Sequence, residues 1–192
     1  MVRSVVVCAT VTLAVSVPVK AQEASWRVAS GEVRVVCPLT VGGSFAATTT
    51  ALEGAVSADT SGGLKGTIEV DLTTLDTGIG LRNTHLRDTY LEVDRGPNFS
   101  LAVLSAITLD GVNPRTFEGE TAFNALFLVH GVEHPVSGVA ELARTLGEVE
   151  VTARFQVALS DHAIQAPRYL GVGVRDQVRV EVRFTALAGS GS

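Results

Sequence analysis

The sequence predicts an all-β domain, a closed antiparallel barrel of about eight strands with one short helical insert, and three observations predict it. Apolar and polar residues alternate with period two in segment after segment from Ser25 onward, which is how strands with one dry and one wet face read. Heptads, amphipathic helices of ordinary length and low-complexity linkers are missing from the same stretch. Several strand patterns run to ten residues or more, longer than the usual five or six, and long strands in a closed eight-stranded sheet can enclose one small ligand. A two-sheet sandwich with a filled core is the competing architecture.

Along the chain, residues 1–21 read as an export signal to be set aside first. Met1-Val2-Arg3 is a short positive start, and Ser4 to Val17 is apolar, shorter than the roughly 20 residues a bilayer span needs. Val19-Lys20-Ala21 offers a cleavage site before Gln22. The domain is therefore expected at 22–192, exported to the periplasm or beyond, without stable membrane insertion. Trp26 to Val36 reads as the first strand and Gly43 to Ser57 as the second, with an Ala/Thr-rich run that leaves its register open. Gly66, Ile68, Val70 and Leu72 face the core in the third, between polar Lys65, Thr67, Glu69 and Asp71.

The segment from Gly78 to Arg95 breaks the pattern, with Leu86, Tyr90 and Val93 spaced along one face of a short helix and Gly96-Pro97 ending it. Phe99, Leu101, Val103, Ile107 and Leu109 make the next alternating set, and Phe117, Thr121, Phe123, Ala125 and Phe127 another. Val136 to Arg144 lies between the breaks His130-Gly131 and Leu146-Gly147. The clearest strand carries Val149, Val151, Ala153, Phe155, Val157 and Leu159 inward, and the last carries Val178, Val180, Val182 and Phe184.

Without residues 1–21 the domain keeps 13 basic and 20 acidic side chains, a net charge of −7. That balance argues against nucleic acid or an anionic membrane surface as partner. Cys8 leaves with the signal, so Cys37 stands alone; it reads as a small buried apolar residue, with no disulfide framework and no cysteine metal site. His130 and His134 are four apart on a hairpin rather than a helix and read as solvated turn residues, not as metal ligands with Glu133. There is no Gly-x-Ser-x-Gly elbow, and Gly78-x-Gly80 has no long helix behind it to cradle a phosphate. No cofactor or metal is expected. His85 with Asp88 or Asp76 is the one acid–base set an enzyme could use.

Val70-Asp71-Leu72, Leu75-Asp76-Thr77-Gly78 and Leu81-Arg82-Asn83-Thr84-His85-Leu86-Arg87-Asp88 together resemble the signature region of the YceI-like family. Gly43-Ser44-Phe45, His130-Gly131-Val132 and Asp161, Ile164, Pro167, Leu170-Gly171 and Asp176 add to the resemblance, in the same order, over nearly the whole chain after the signal. One departure is Asn83, where the family more often has Asp. The resemblance implies an extended, lipocalin-like barrel whose tunnel holds an apolar lipid, a polyisoprenoid or a quinone-like molecule. The expected tail contacts are Leu86, Tyr90, Phe99, Phe117, Phe123, Phe127, Phe155 and Phe184, with Arg82, His85 and Arg87 near a head group. The insert is expected to close one end of the barrel, apolar face inward. An enzyme acting on an isoprenoid lipid through His85 and a nearby Asp is the second reading, and an adhesion module built on a filled sandwich the third. A homodimer is left open.

Overall fold

The computed structural model describes residues 24–58, 63–169 and 171–189. The expected export signal, Leu170 and most of the Thr60-Ser61-Gly62-Gly63 turn lie outside them. The strands are β1 (Ala24–Pro38), β2 (Ser44–Thr49), β3 (Leu52–Ala58), β4 (Leu64–Asp71), β5 (Leu101–Leu109), β6 (Gly119–Val129), β7 (Val132–Thr145), β8 (Glu148–Ala158), the two-residue β9 (Arg168–Tyr169) and β10 (Val172–Gly173), and β11 (Gln177–Ala188). β1 pairs with both β2 and β3, from β3 to β8 each strand pairs with the next, and β11 pairs with both β8 and β1, all antiparallel. Counting β2 and β3 as one interrupted strand along β1, the sheet closes as an eight-stranded antiparallel barrel.

The period-two pattern carried most of this. Val149, Val151, Ala153, Phe155 and Val157 on β8, and Val178, Val180, Val182 and Phe184 on β11, all face the interior, as expected. Where the reading failed, an interruption or a bulge in the strand had intervened. The expected strand Gly43 to Ser57 is split at Thr50-Ala51, where Leu52 N–H turns back to the Thr50 carbonyl at 2.9 Å and the inward set passes from Phe45 and Ala47 to Leu52 and Val56. In β5 the pairing with β6 shifts between Ser105 and Thr108, and Ala106 sits there with φ +49°. A bulge inserts one unpaired residue, and one residue moves every later side chain to the other face. Ala102 and Leu104 therefore face inward before the bulge and Ile107 and Leu109 after it, so Leu101 and Val103, expected inside, are not.

Phe99 belongs to no strand: it lies in α2 (Pro97–Ser100), because Pro97 starts a new helical turn after Gly96 instead of ending the insert. Phe117 precedes β6, in the loop 110–118. The insert itself is α1 (Gly80–Thr84) running into a π-helical segment, His85–Tyr90, whose last bond joins Leu91 N–H to the Leu86 carbonyl at 2.9 Å.

Two local details keep the wall of the barrel intact. His130 (φ +53°) and Gly131 (φ +76°) supply the two left-handed residues of the tight β6–β7 hairpin. Gly138 on β7 faces Phe123 and Phe155, where an added Cβ would stand 2.3 Å from the Arg154 carbonyl oxygen and 2.7 Å from the Phe123 ring. The glycine is what lets two phenylalanines meet across the inner face.

Candidate functional site

The barrel encloses a cavity of about 250 Å³ lined from one end to the other by apolar side chains. Phe123, Phe127, Phe155 and Phe184 form its aromatic wall. Phe155 meets Phe123 edge-on at 6.0 Å and Phe127 at 5.5 Å, an arrangement worth about 0.5–1.5 kcal/mol per pair beyond the area buried. The rings are thus held by each other as well as by the sheet.

One end is closed by the insert. Leu86, Tyr90 and Leu91 reach the cavity from it, joined by Leu72 and Leu75. Their neighbours fasten the insert to the rim. Asp76 pairs with Thr48 of β2 through two backbone bonds. Its carboxylate accepts from Gly78 N–H at 2.9 Å and from the Asn83 amide at 2.6 Å, which hold it below the ordinary carboxylate range, the Asn83 bond contributing most. Asn83 in turn accepts from the Thr77 hydroxyl and N–H through its oxygen. The amide donates and accepts at once here, as an ionised carboxylate could not. Arg87 Nη2 donates to the Leu75 carbonyl at 2.7 Å, while its Nε is buried without a partner among the described residues. Arg82 lies over the Phe45 ring at 4.5 Å, and His85 is exposed.

The head-group set and the tail set therefore separate. Leu86, Tyr90, Phe123, Phe127, Phe155 and Phe184 line the cavity; Arg82, His85 and Arg87 do not. Neither do Phe99 and Phe117. Phe99 instead packs outside, between the Arg95 guanidinium at 4.2 Å and the His130 ring at 5.0 Å. Phe117 packs against the core at the opposite end. His85 makes no hydrogen bond or ion pair with Asp76 or Asp88, and among the described residues no group of three His, Cys, Asp or Glu could hold a metal ion.

The histidines on the β6–β7 hairpin also correct an expectation. His134 is half-exposed, but His130 is not solvated: its ring lies between the His162 carbonyl at 3.1 Å and the Glu92 carboxylate at 2.9 Å. Both nitrogens face acceptors, so the hairpin is clamped to the insert. Glu92, bonded to Arg95 and His130, is held below the ordinary carboxylate value. His162, which spacing did not single out, is 1% exposed and bonds through Nδ1 to the Val132 carbonyl at 2.9 Å. Burial pushes its imidazole below the ordinary value and keeps it neutral. Cys37 also lines the cavity, and burial pushes its thiol up to about 11, against the pull of Arg82. That makes it a poor nucleophile.

The far end is closed differently. The loop 110–118 crosses it, and Pro114 reaches the cavity. Arg144 on β7 donates from Nε to the Phe117 carbonyl at 3.0 Å and from Nη2 to the Pro114 carbonyl, and its guanidinium lies 5.7 Å from the Trp26 ring centre. Arg115 donates from the loop to the Ala58 carbonyl at 3.0 Å. Two arginines thus strap the loop across the barrel, and one of them, Arg144, is itself part of the cavity lining.

A family model for the YceI-like domain matches residues 11–186. The chain belongs to the YceI-like family. Among solved structures, the family barrel is similar to Burkholderia cenocepacia BcnA, at 13% identity and TM-score 0.64, covering 81% of this chain and 95% of that one. It is similar as well to a polyisoprenoid binding domain from Saccharophagus degradans implicated in plant cell wall breakdown, at 15% identity and TM-score 0.64, covering 85% and 98%. A Campylobacter jejuni YceI protein matches at 10% identity and TM-score 0.56, covering 72% and 82%. No curated protein matches the sequence. At these identities the structural likeness shows the fold, and YceI-like membership rests on the family model.

Proposed function

We propose that this protein is an exported carrier that holds an apolar lipid, a polyisoprenoid or isoprenoid quinone, in the barrel interior for transport, storage or sequestration. The observation that carries the reading is the cavity inside the barrel with an apolar lining along its length. Burying a methylene contributes roughly 0.8 kcal/mol, so ten of them give ~8 kcal/mol before the costs of ordering and translation. Such a site needs length more than special chemistry. The Saccharophagus relative, named as polyisoprenoid-binding, supports the ligand class, and the apolar, Ala21-terminated leader supports export. The tail contacts proposed are Leu86, Tyr90, Phe123, Phe127, Phe155 and Phe184.

Organic extraction of the purified protein, read by mass spectrometry, is expected to release an apolar chain lipid. Phe123→Trp and Phe155→Trp are each expected to lower lipid loading about tenfold while the domain stays folded, because the added ring volume competes with the tail. Unchanged loading in both variants would remove the tail from this part of the barrel. The acid–base alternative draws no support from the geometry, since His85 is exposed and unpaired with either aspartate.

A further inference from the structure

At the barrel end that the insert closes, three neighbouring segments expose apolar side chains. Val41 in the β1–β2 turn and Leu81 at the start of the insert are 68% and 69% exposed, and Ile79 and Val172 are exposed as well. The segments are tied to one another. Thr40 N–H donates to the Gly173 carbonyl and Arg175 N–H to the Pro38 carbonyl, each at 2.8 Å. Arg82 of the insert lies over the ring of Phe45, just past the turn, at 4.5 Å. Residues 39–43, 78–82 and 165–175 hold three arginines, Arg82, Arg168 and Arg175, and no lysine, aspartate or glutamate. The acids next to them in the chain are committed: Asp76 to Gly78 and Asn83, Asp176 to Ser160. The same rim adjoins the cavity, which Phe45, Leu86, Pro167 and Val174 line from this end.

We infer that this rim docks on an anionic membrane surface, with Val41, Ile79, Leu81 and Val172 entering the head-group layer and Arg82, Arg168 and Arg175 meeting lipid phosphates, and that lipid passes into and out of the barrel at this end. Apolar side chains flanked by cations suit that layer, where the chain tips leave water and each guanidinium gains a charge-assisted bond. The opposite end does not suit it. Leu146 and Leu187 are exposed there too, but Glu148 stands directly across from Leu187 and turns an anionic surface away. The domain is acidic as a whole, which confines the contact to the one rim where the sign of charge is reversed and keeps it peripheral and reversible. The docking rests on the rim itself; the passage of lipid rests on the carrier reading above and adds to it the end at which the cargo moves.

Flotation of the purified protein with vesicles of phosphatidylcholine and phosphatidylglycerol in equal parts, compared with phosphatidylcholine alone, tests the docking. Binding to the anionic vesicles is expected to be at least about tenfold stronger and to fall steeply as NaCl is raised, a readout on unaltered protein that no folding defect can obscure. Arg168→Gln with Arg175→Gln should weaken it about thirtyfold. Val41→Ser with Leu81→Ser should weaken it about tenfold, and Leu146→Ser, at the far end, should leave it unchanged. No binding to anionic vesicles overturns the proposal, as does equal binding to both kinds or a loss that follows Leu146→Ser instead of the rim variants. The passage of lipid is read with the fluorescent polyene ester methyl cis-parinarate. Its transfer from anionic vesicles to the protein should slow at least about tenfold in the rim variants, while its affinity measured without vesicles stays within about twofold. Transfer at an unchanged rate overturns entry at this end. Docking without uptake of the ester from vesicles or solution overturns the carrier reading and the passage of lipid with it, and leaves the docking surface standing.

Discussion

The two ends of this barrel are closed by segments of different build, a helical insert and a short loop, and arginines fasten both to backbone carbonyls. At the insert end, Arg82, His85, Arg87 and Asp88 crowd one stretch of sequence, yet the residues reaching the cavity from it are Leu86, Tyr90 and Leu91. The charged groups there hold the insert in place, through Arg87 on the Leu75 carbonyl and Asp76 on Asn83 and Gly78. At the other end the loop 110–118 crosses the opening, held by Arg144 from a strand and by its own Arg115 on the Ala58 carbonyl, and Arg144 also lines the cavity. At both ends the charged groups fasten the closing segment, while the surface facing the cavity is almost wholly apolar.

Removing Arg87 should therefore cost stability and leave the cavity as it is. Arg87→Met takes a charged donor from a backbone carbonyl, a loss of about 1–3 kcal/mol, reduced by the release of the buried, unpartnered Nε. A lower melting temperature is expected, with lipid loading of the folded protein unchanged. A variant that keeps its melting temperature but loses loading would make Arg87 a ligand contact rather than a fastening.

The insert end should also be the acid-sensitive one. His162 beneath the hairpin has its folded value pushed below the ordinary 6.5 by burial, so the unfolded chain takes up the proton first as pH falls. Its contribution to stability is full above about pH 6.5 and is lost as pH falls from there toward the folded value, then stays level. Melting temperature against pH should show this decline, and His162→Gln, an amide offered to the Val132 carbonyl, should flatten it. An unaltered slope in that variant would assign the sensitivity to another group.

The smallest effect concerns Asn83. Asn83→Asp restores the family's more common residue but sets a second carboxylate against Asp76, replacing a 2.6 Å donor contact with like-charge repulsion. The variant should melt lower at neutral pH and recover as pH falls through about 4, where one of the pair takes a proton. A variant as stable as the parent at pH 7 would show that the amide is not required.

Most of the fold was legible because burial with period two leaves the same mark on β4, β6, β8 and β11 whatever the loops do. The reading went astray at Thr50-Ala51, where the strand is interrupted and the inward set changes parity, at Ala106, where one extra residue reverses the faces, and at Pro97, which opens a helical turn rather than closing one. Six of the eight expected tail positions line the cavity, and Phe99 and Phe117 do not because neither lies in a strand. Arg144 was passed over as the last residue of an alternating strand, although its even position, in step with Ala140 and Leu142, was the one signal that it faces inward.

By itself, then, the sequence determined the strand pattern, the family resemblance through Val70 to Asp88, and an apolar interior, since these follow from local periodicity and short-range motifs. The tertiary structure alone decided which charged groups meet the cavity. That depends on closure of β11 onto β1 and on the bonds from Arg144 to Pro114 and Phe117, some 27–30 residues away. It decided too that His130, His162 and Glu92 meet in one clamp, with 38 residues between the partners of its carboxylate bond. A side chain's place on a face is written within a few residues of it, but its partner across the barrel is set by where the whole sheet brings the chain back.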